Sequence, residues 1–219
     1  MPATAPSRRL GAPDSKSRLR LVDAAERVLL EEGYAAVTSR RVAARAGLKP
    51  QLVHYYFRTM DDLFLEVFRR RADENLVRFE RAIADDGSLR SLWELNADPR
   101  GAAFSIEFVA LANHRKSIRD EIARYAERFR VVQLDAVRRA LSSAGVGPDQ
   151  LPPVVGLLLM TGLSQVLALE ERLGVTAGHR ATTQFVERAL RELETAEWGG
   201  KGHGHSAGSN AGGRRPRRG

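Results

Sequence analysis

The chain has 219 residues, 43% of them hydrophobic and 28% charged, and its 35 Lys and Arg against 27 Asp and Glu give a net charge of +8. This composition excludes a disordered polyelectrolyte and a chain made mostly of membrane spans, and the length allows one or two domains with a sizeable core. The absence of cysteine removes disulfides, thiol nucleophiles and Cys-based zinc sites, and fits a reducing cytoplasm, the expected location.

The charge is unevenly placed. Residues 1–60 hold 11 Lys and Arg against 5 Asp and Glu, residues 198–219 hold 5 basic and no acidic residues, and residues 61–197 hold 19 basic against 22 acidic. A basic head in front of an acidic middle points to a polyanion-facing N-terminal module.

In chain order, residues 1–14 contain Pro2, Pro6 and Pro13 and no apolar run, so they read as a flexible arm without a secretory signal. Leu21, Ala25, Val28 and Leu29 then recur at helical spacing and define a first helix that Gly33 closes. Thr38 is an N-cap for a short second helix, with Val42, Ala43 and Ala46 inward and Arg40, Arg41 and Arg45 outward. Gly47 breaks it, and a third short helix starts near Lys49 and Pro50 and buries Val53 and Phe57.

Thr59, followed by Asp61 and Asp62, opens a long fourth helix to about Ala84. Breaks at Gly87, Pro99 and Gly101 give helices at about 88–96 and 100–113, and a seventh runs from about Ser117 to Ser143. Pro152 and Pro153 start an apolar helix reaching Leu173, and a last helix spans about 178–197. From Gly199 the chain alternates Gly, His, Ser and Arg without periodicity, so 198–219 reads as a disordered tail.

No stretch alternates like a strand, so the fold reads as all-α with about nine helices. Val154 to Leu169 is apolar, but Gly156, Thr161, Gly162, Ser164 and Gln165 interrupt it. It reads as a helix covered by a second subunit rather than as a membrane span.

Residues 38–57 form a helix, a glycine-containing turn and a second helix, the helix-turn-helix pattern of double-stranded DNA readers. The small Ala43 lets the two helices cross closely, Gly47 makes the turn, and Val42, Leu48 and Val53 close a small core.

The stretch from about Ser17 to Phe68 resembles the DNA-binding domain of the TetR family of bacterial transcriptional repressors. The resemblance rests on Glu32-Gly33-Tyr34 at the end of the first helix, the Thr38 to Gly47 helix and turn, Tyr56-Phe57, and Asp61, Asp62 and Leu63 opening the fourth helix. The chain departs from the family's pattern at three places: His54 stands for a usual tyrosine, Met60 for a frequent lysine, and Gln51 for a usual small residue. The resemblance implies a three-helix DNA-binding domain at 15–60 and, at 61–197, a helical domain that binds an effector and dimerises.

Chemistry then divides the contacts. Arg40, Lys49 and Gln51 present groups suited to base edges, and His54 suits base edges or phosphates, placed here with the base readers. Thr38, Ser39, Tyr55, Tyr56 and Arg58 offer hydroxyls and a guanidinium suited to phosphate oxygens.

The resemblance also implies a pocket for a small, mostly apolar effector, for which Phe79, Trp93, Phe104, Phe108, Tyr125, Phe129 and Ser164 are the lining residues expected, with Asn113, His114 and Gln165 as further polar anchors. It places a homodimer interface on the last two helices, through Leu158, Leu167 and Phe185.

The expected function is a repressor that binds a palindromic operator and is released by its effector. No P-loop, Rossmann glycine pattern, HExxH or GxSxG is present, so neither catalysis nor a cofactor is expected. Two other readings stay open: weak metal binding by His203 and His205, and sequence-blind nucleic-acid coating through Arg214, Arg215, Arg217 and Arg218.

Overall fold

The computed structural model describes residues 15–195. The arm at 1–14, the tail at 198–219 and its histidines and arginines lie outside the described residues.

Nine α-helices and one short 3-10 turn make up the described chain, with no strand among the described residues. They are α1 (Lys16–Glu32), the turn Tyr34–Ala36, α2 (Ser39–Ala46), α3 (Gln51–Tyr56), α4 (Met60–Asp85), α5 (Leu89–Asn96), α6 (Pro99–Ala112), α7 (Lys116–Ser143), α8 (Pro153–Arg172) and α9 (His179–Glu194).

Local chemistry sets the breaks. Thr38 accepts a hydrogen bond from the Arg41 backbone N–H and so caps α2. Gly47 ends the same helix at φ 64°, in the left-handed region that suits a residue without a Cβ. At α4 the Thr59 hydroxyl accepts from the Asp62 N–H at 3.1 Å while the Asp62 carboxylate accepts from the Thr59 N–H at 3.0 Å, a reciprocal capping box. Proline sits in the first turn of both α6 and α8.

Two apolar cores hold the helices together. The first joins Leu21, Val28, Val42, Ala43 and Val53 of the motif to Leu63, Phe64 and Phe68 of α4, Phe104 and Phe108 of α6, and Ile118 of α7. Residues on either side of position 60 therefore share one core. Full burial of each such leucine, valine or phenylalanine contributes about 1.5–3 kcal/mol, so the motif is held rigidly to the head of the larger domain. The second core gathers Phe79, Trp93, Val137, Leu157, Val186 and Leu190 from α4, α5, α7, α8 and α9.

Charge pairs reinforce the junction of α1 with α4. Arg18 donates to Glu66 at 2.8 Å and lies 5.2 Å from the Phe57 ring centroid, while Arg70 reaches Asp23 at 2.5 Å and Glu26 at 2.6 Å.

One face is left uncovered. On α8, Val155, Leu158, Leu159, Val166 and Leu169 are exposed in a stripe that also contains Gly162, and on α9 Phe185 is 56% exposed. Leu167 instead turns inward onto the second core. By length and composition α8 could cross a membrane, with a mean hydropathy of 1.6 over its most apolar stretch. Its opposite side, through Gly156, Leu157, Ser164 and Ala168, is buried against the rest of the protein.

Candidate nucleic-acid interface and ligand cavity

The motif sorts its basic residues into two groups. Arg41 makes a bidentate pair with Glu32, at 2.9 and 2.8 Å, and Arg45 pairs with Glu31, so both are tied back onto α1. The hydrogen bond from Arg41 holds the Glu32 carboxyl below the usual carboxylate range. Arg40, Lys49 and Arg58 are exposed, and their side chains have no ion pair or hydrogen bond among the described residues. They are the cations available to an incoming polyanion.

The remaining expected contacts fall in the same region. Gln51 is the first residue of α3, and Gln51, His54 and Tyr55 are all exposed. A helix placed this way can lay its N-terminal side chains against base edges. Tyr56 is more constrained: its hydroxyl lies 2.7 Å from the Ser15 hydroxyl and its ring meets Tyr55 edge-on. Thr38 and Ser39 stand at the N-terminus of α2, where unpaired backbone N–H groups favour an anion. Thr38 also caps its helix, and the hydroxyl proton remains free to donate.

A cavity of about 300 Å³ lies between α4, α6, α7 and α8. Of the residues named for an effector pocket, Phe104, Phe108, Tyr125, Phe129 and Gln165 line this cavity. Phe79 and Trp93 do not; they are buried in the second core, and Phe79 meets Phe129 from behind with ring centroids 5.0 Å apart. Ser164 is buried too, its hydroxyl donating to the Met160 carbonyl one turn back in α8. Asn113 and His114 are exposed at the end of α6 and stand outside the cavity lining. Aromatic identity alone does not say which of two neighbouring cores a ring enters.

The cavity also holds residues that sequence reading missed. Phe68, Arg71, Asn75 and Arg78 reach it from one face of α4, and Arg130 and Gln133 from α7. The spacing of 68, 71, 75 and 78 by three or four residues places them on one side of the helix. Asn75 donates to the Tyr125 hydroxyl at 3.1 Å; burial raises the pKa of that phenol, and the Asn75 bond only partly offsets it. Asp98 accepts from Arg78 at 2.9 Å. Burial works against the Asp98 charge, but Arg78 and the Arg100 and Gly101 backbone N–H groups prevail and hold the carboxyl below its usual range. Among the described residues no group of three or more His, Asp or Glu is arranged to hold a metal ion.

An exposed reading helix, unpaired cations beside it and a long helix linking both to a partly open cavity define a helix-turn-helix DNA-binding protein with a second helical domain. Residues 21–67 match the family of bacterial regulatory proteins described as the tetR family. The chain is 27% identical over 172 residues, 73% of its own length and 85% of the relative's, to the HTH-type transcriptional regulator BetI of Rhizobium meliloti strain 1021. Its fold is shared with a transcriptional regulator from Rhodococcus sp. Rha1, with a TM-score of 0.62 and 22% identity over 84% of this chain and 97% of the other. A regulator from Saccharomonospora viridis, solved in complex with choline, matches with a TM-score of 0.64 and 20% identity over 85% and 98% of the two chains. Residues 21–67 thus match the DNA-binding region of the tetR family, and the chain as a whole is similar to transcriptional regulators.

Proposed function

We propose that the protein is a repressor that binds a palindromic operator as a homodimer in the cytoplasm and leaves it when a small ligand fills the cavity. The observation that carries this reading is the division of the motif's charges. Arg41 and Arg45 are neutralised by α1, while Arg40, Lys49 and Arg58 stay exposed and unpaired around the exposed Gln51.

In this reading residues 15–60, with the motif at 38–57, form the reading head, and residues 61–197 sense and dimerise. Arg40, Lys49, Gln51 and His54 choose the sequence; Thr38, Ser39, Tyr55, Tyr56 and Arg58 hold the phosphates. The exposed stripe of α8 with Phe185 of α9 is the two-fold interface, packed as a four-helix bundle. Helix α4 carries the signal, because its first turn supports the motif and Phe68 to Arg78 line the cavity. A ligand shifts the equilibrium only by as much as its affinities for the bound and released states differ.

Footprinting on the DNA beside the protein's own gene tests this. Two protected half-sites about 34–36 Å apart, or a multiple of that, are expected. Uniform protection without sequence preference would overturn the operator reading and leave sequence-blind coating in its place.

A further inference from the structure

We propose that the cavity selects an organic anion, with an apolar body against the aromatic wall and a carboxylate or similar headgroup held by Arg130 and Arg71. This rests on the reading of the cavity as the effector site and adds the sign of the ligand's charge.

Four observations carry it. The ionisable side chains lining the space, besides Tyr125, are three arginines, Arg71, Arg78 and Arg130, against one carboxylate, Asp98. Asp98 is taken by Arg78 at 2.9 Å, so its charge is spent within the protein. Arg71 lies 4.0 Å from Asp98 and 3.8 Å from Glu74, beyond hydrogen-bond reach of either. Arg130 has no ion pair or side-chain hydrogen bond among the described residues. Both guanidiniums thus line the cavity with N–H donors open, Arg130 without an ion pair among the described residues and Arg71 with its charge only partly balanced by the longer pairs to Asp98 and Glu74, and a guanidinium matches a carboxylate bidentately.

The fourth observation is the Gln133 amide. The residue is only 6% exposed, it lines the cavity, and its side chain has no hydrogen-bond partner among the described residues. Its amide is not among the buried polar atoms sealed without a partner, so it opens onto the cavity, where it is available to a polar group of a ligand.

The rings do not argue for a cation instead. Phe104 and Phe108 lie 4.5 Å apart, Phe68 and Phe108 5.2 Å, and Tyr125 and Phe129 5.5 Å between centroids. They pack on one another as a continuous apolar wall, and the arginines repel an ammonium group. A volume near 300 Å³ suits a molecule on the order of a dozen non-hydrogen atoms.

The test uses the full chain and three probes with one apolar tail: decanoate, decanol and decyltrimethylammonium, titrated by calorimetry. Decanoate should bind at least about tenfold more tightly than the other two, the scale of one charge-assisted hydrogen bond. Arg130→Gln and Arg71→Gln should each remove about five- to tenfold of decanoate affinity and leave decanol nearly unchanged. Gln133→Leu should weaken decanoate and strengthen decanol.

If decanol or decyltrimethylammonium binds as tightly as decanoate, the charge preference is overturned while the effector cavity stands. If none of the three binds, or if Ala102→Trp, which fills the space, leaves decanoate binding intact, the cavity reading itself fails. Arg130 is partly exposed, so thermal unfolding of Arg130→Gln close to that of the parent separates loss of binding from loss of fold.

Discussion

The backbone N–H of Tyr34 donates to the Glu107 carboxylate at 2.9 Å, joining the turn that leads into the motif to the helix that carries Phe104 and Phe108. Glu107 also lies 3.6 Å from Arg172 at the end of α8, so one side chain touches the reading head, a cavity wall and the proposed dimer helix. Its side chain is only 15% exposed, and removing it leaves a partly buried N–H without its partner. We expect Glu107→Ala to cost about 1–3 kcal/mol and Glu107→Gln less, because the amide carbonyl can still accept. Urea midpoints check the stability. The same variant should blunt ligand-driven release from DNA more than it weakens DNA binding; an unaltered release curve would remove Glu107 from the coupling.

Base reading and phosphate holding should separate in the salt dependence. Gln51→Ala is expected to lose about 1–3 kcal/mol on the operator and little on random DNA. Arg58→Ala is expected to weaken both alike and to lower the salt slope by about one. Titrations at several salt concentrations measure both, and equal losses for the two variants on both DNAs would refute the division.

The outer stripe of α8 predicts an assembly defect without a folding defect. Leu158 is half exposed and Phe185 more so, so a charge at either position costs the folded monomer little. Leu158→Glu should sediment as a monomer and bind operator DNA far more weakly than the parent. Leu167→Glu is a contrasting case, because that residue packs on the protein's own second core. It should lower the melting temperature as well.

Acid should loosen the contact between α4 and α7. The Arg69 hydrogen bond, with help from Arg124 and against a smaller opposing effect of burial, lowers the Glu121 pKa from 4.5 to about 2. A depressed pKa means that the pair's stabilisation is fully present above about pH 4.5 and is lost as the pH falls towards 2. Arg69→Gln should move Glu121 back towards 4.5 and shift acid unfolding to higher pH. Carboxyl NMR titration reads the first effect and far-UV circular dichroism the second.

Most helix boundaries were legible because the stops are local. Thr38, Gly47, Thr59 and Pro153 each act through their own backbone neighbourhood, and the observed ends fall close to the expected ones. The turn Tyr34–Ala36 was not legible, since Tyr-Ala-Ala carries no turn chemistry and its N–H partner is Glu107, 73 residues away. The cavity was half legible. Phe104, Phe108, Tyr125 and Phe129 announce themselves as large apolar groups, but Arg71, Arg130 and Gln133 look like ordinary solvated helix residues until α4 and α7 are placed side by side. Phe79 and Trp93 were drawn to the wrong compartment for the same reason: one turn of helix decides between cavity and core.

Gly162 gives the exposed α8 stripe a property that none of its leucines has. A methyl group added there meets nothing within 4 Å, so the protomer has no steric objection to alanine at that position. Alanine in place of glycine inside a helix favours the helix by about 1 kcal/mol. In the proposed two-fold bundle the same methyl would hold two backbones apart. Gly162→Ala should therefore raise the unfolding temperature measured at high dilution while weakening self-association, making a harder protomer and a poorer pair from one carbon atom.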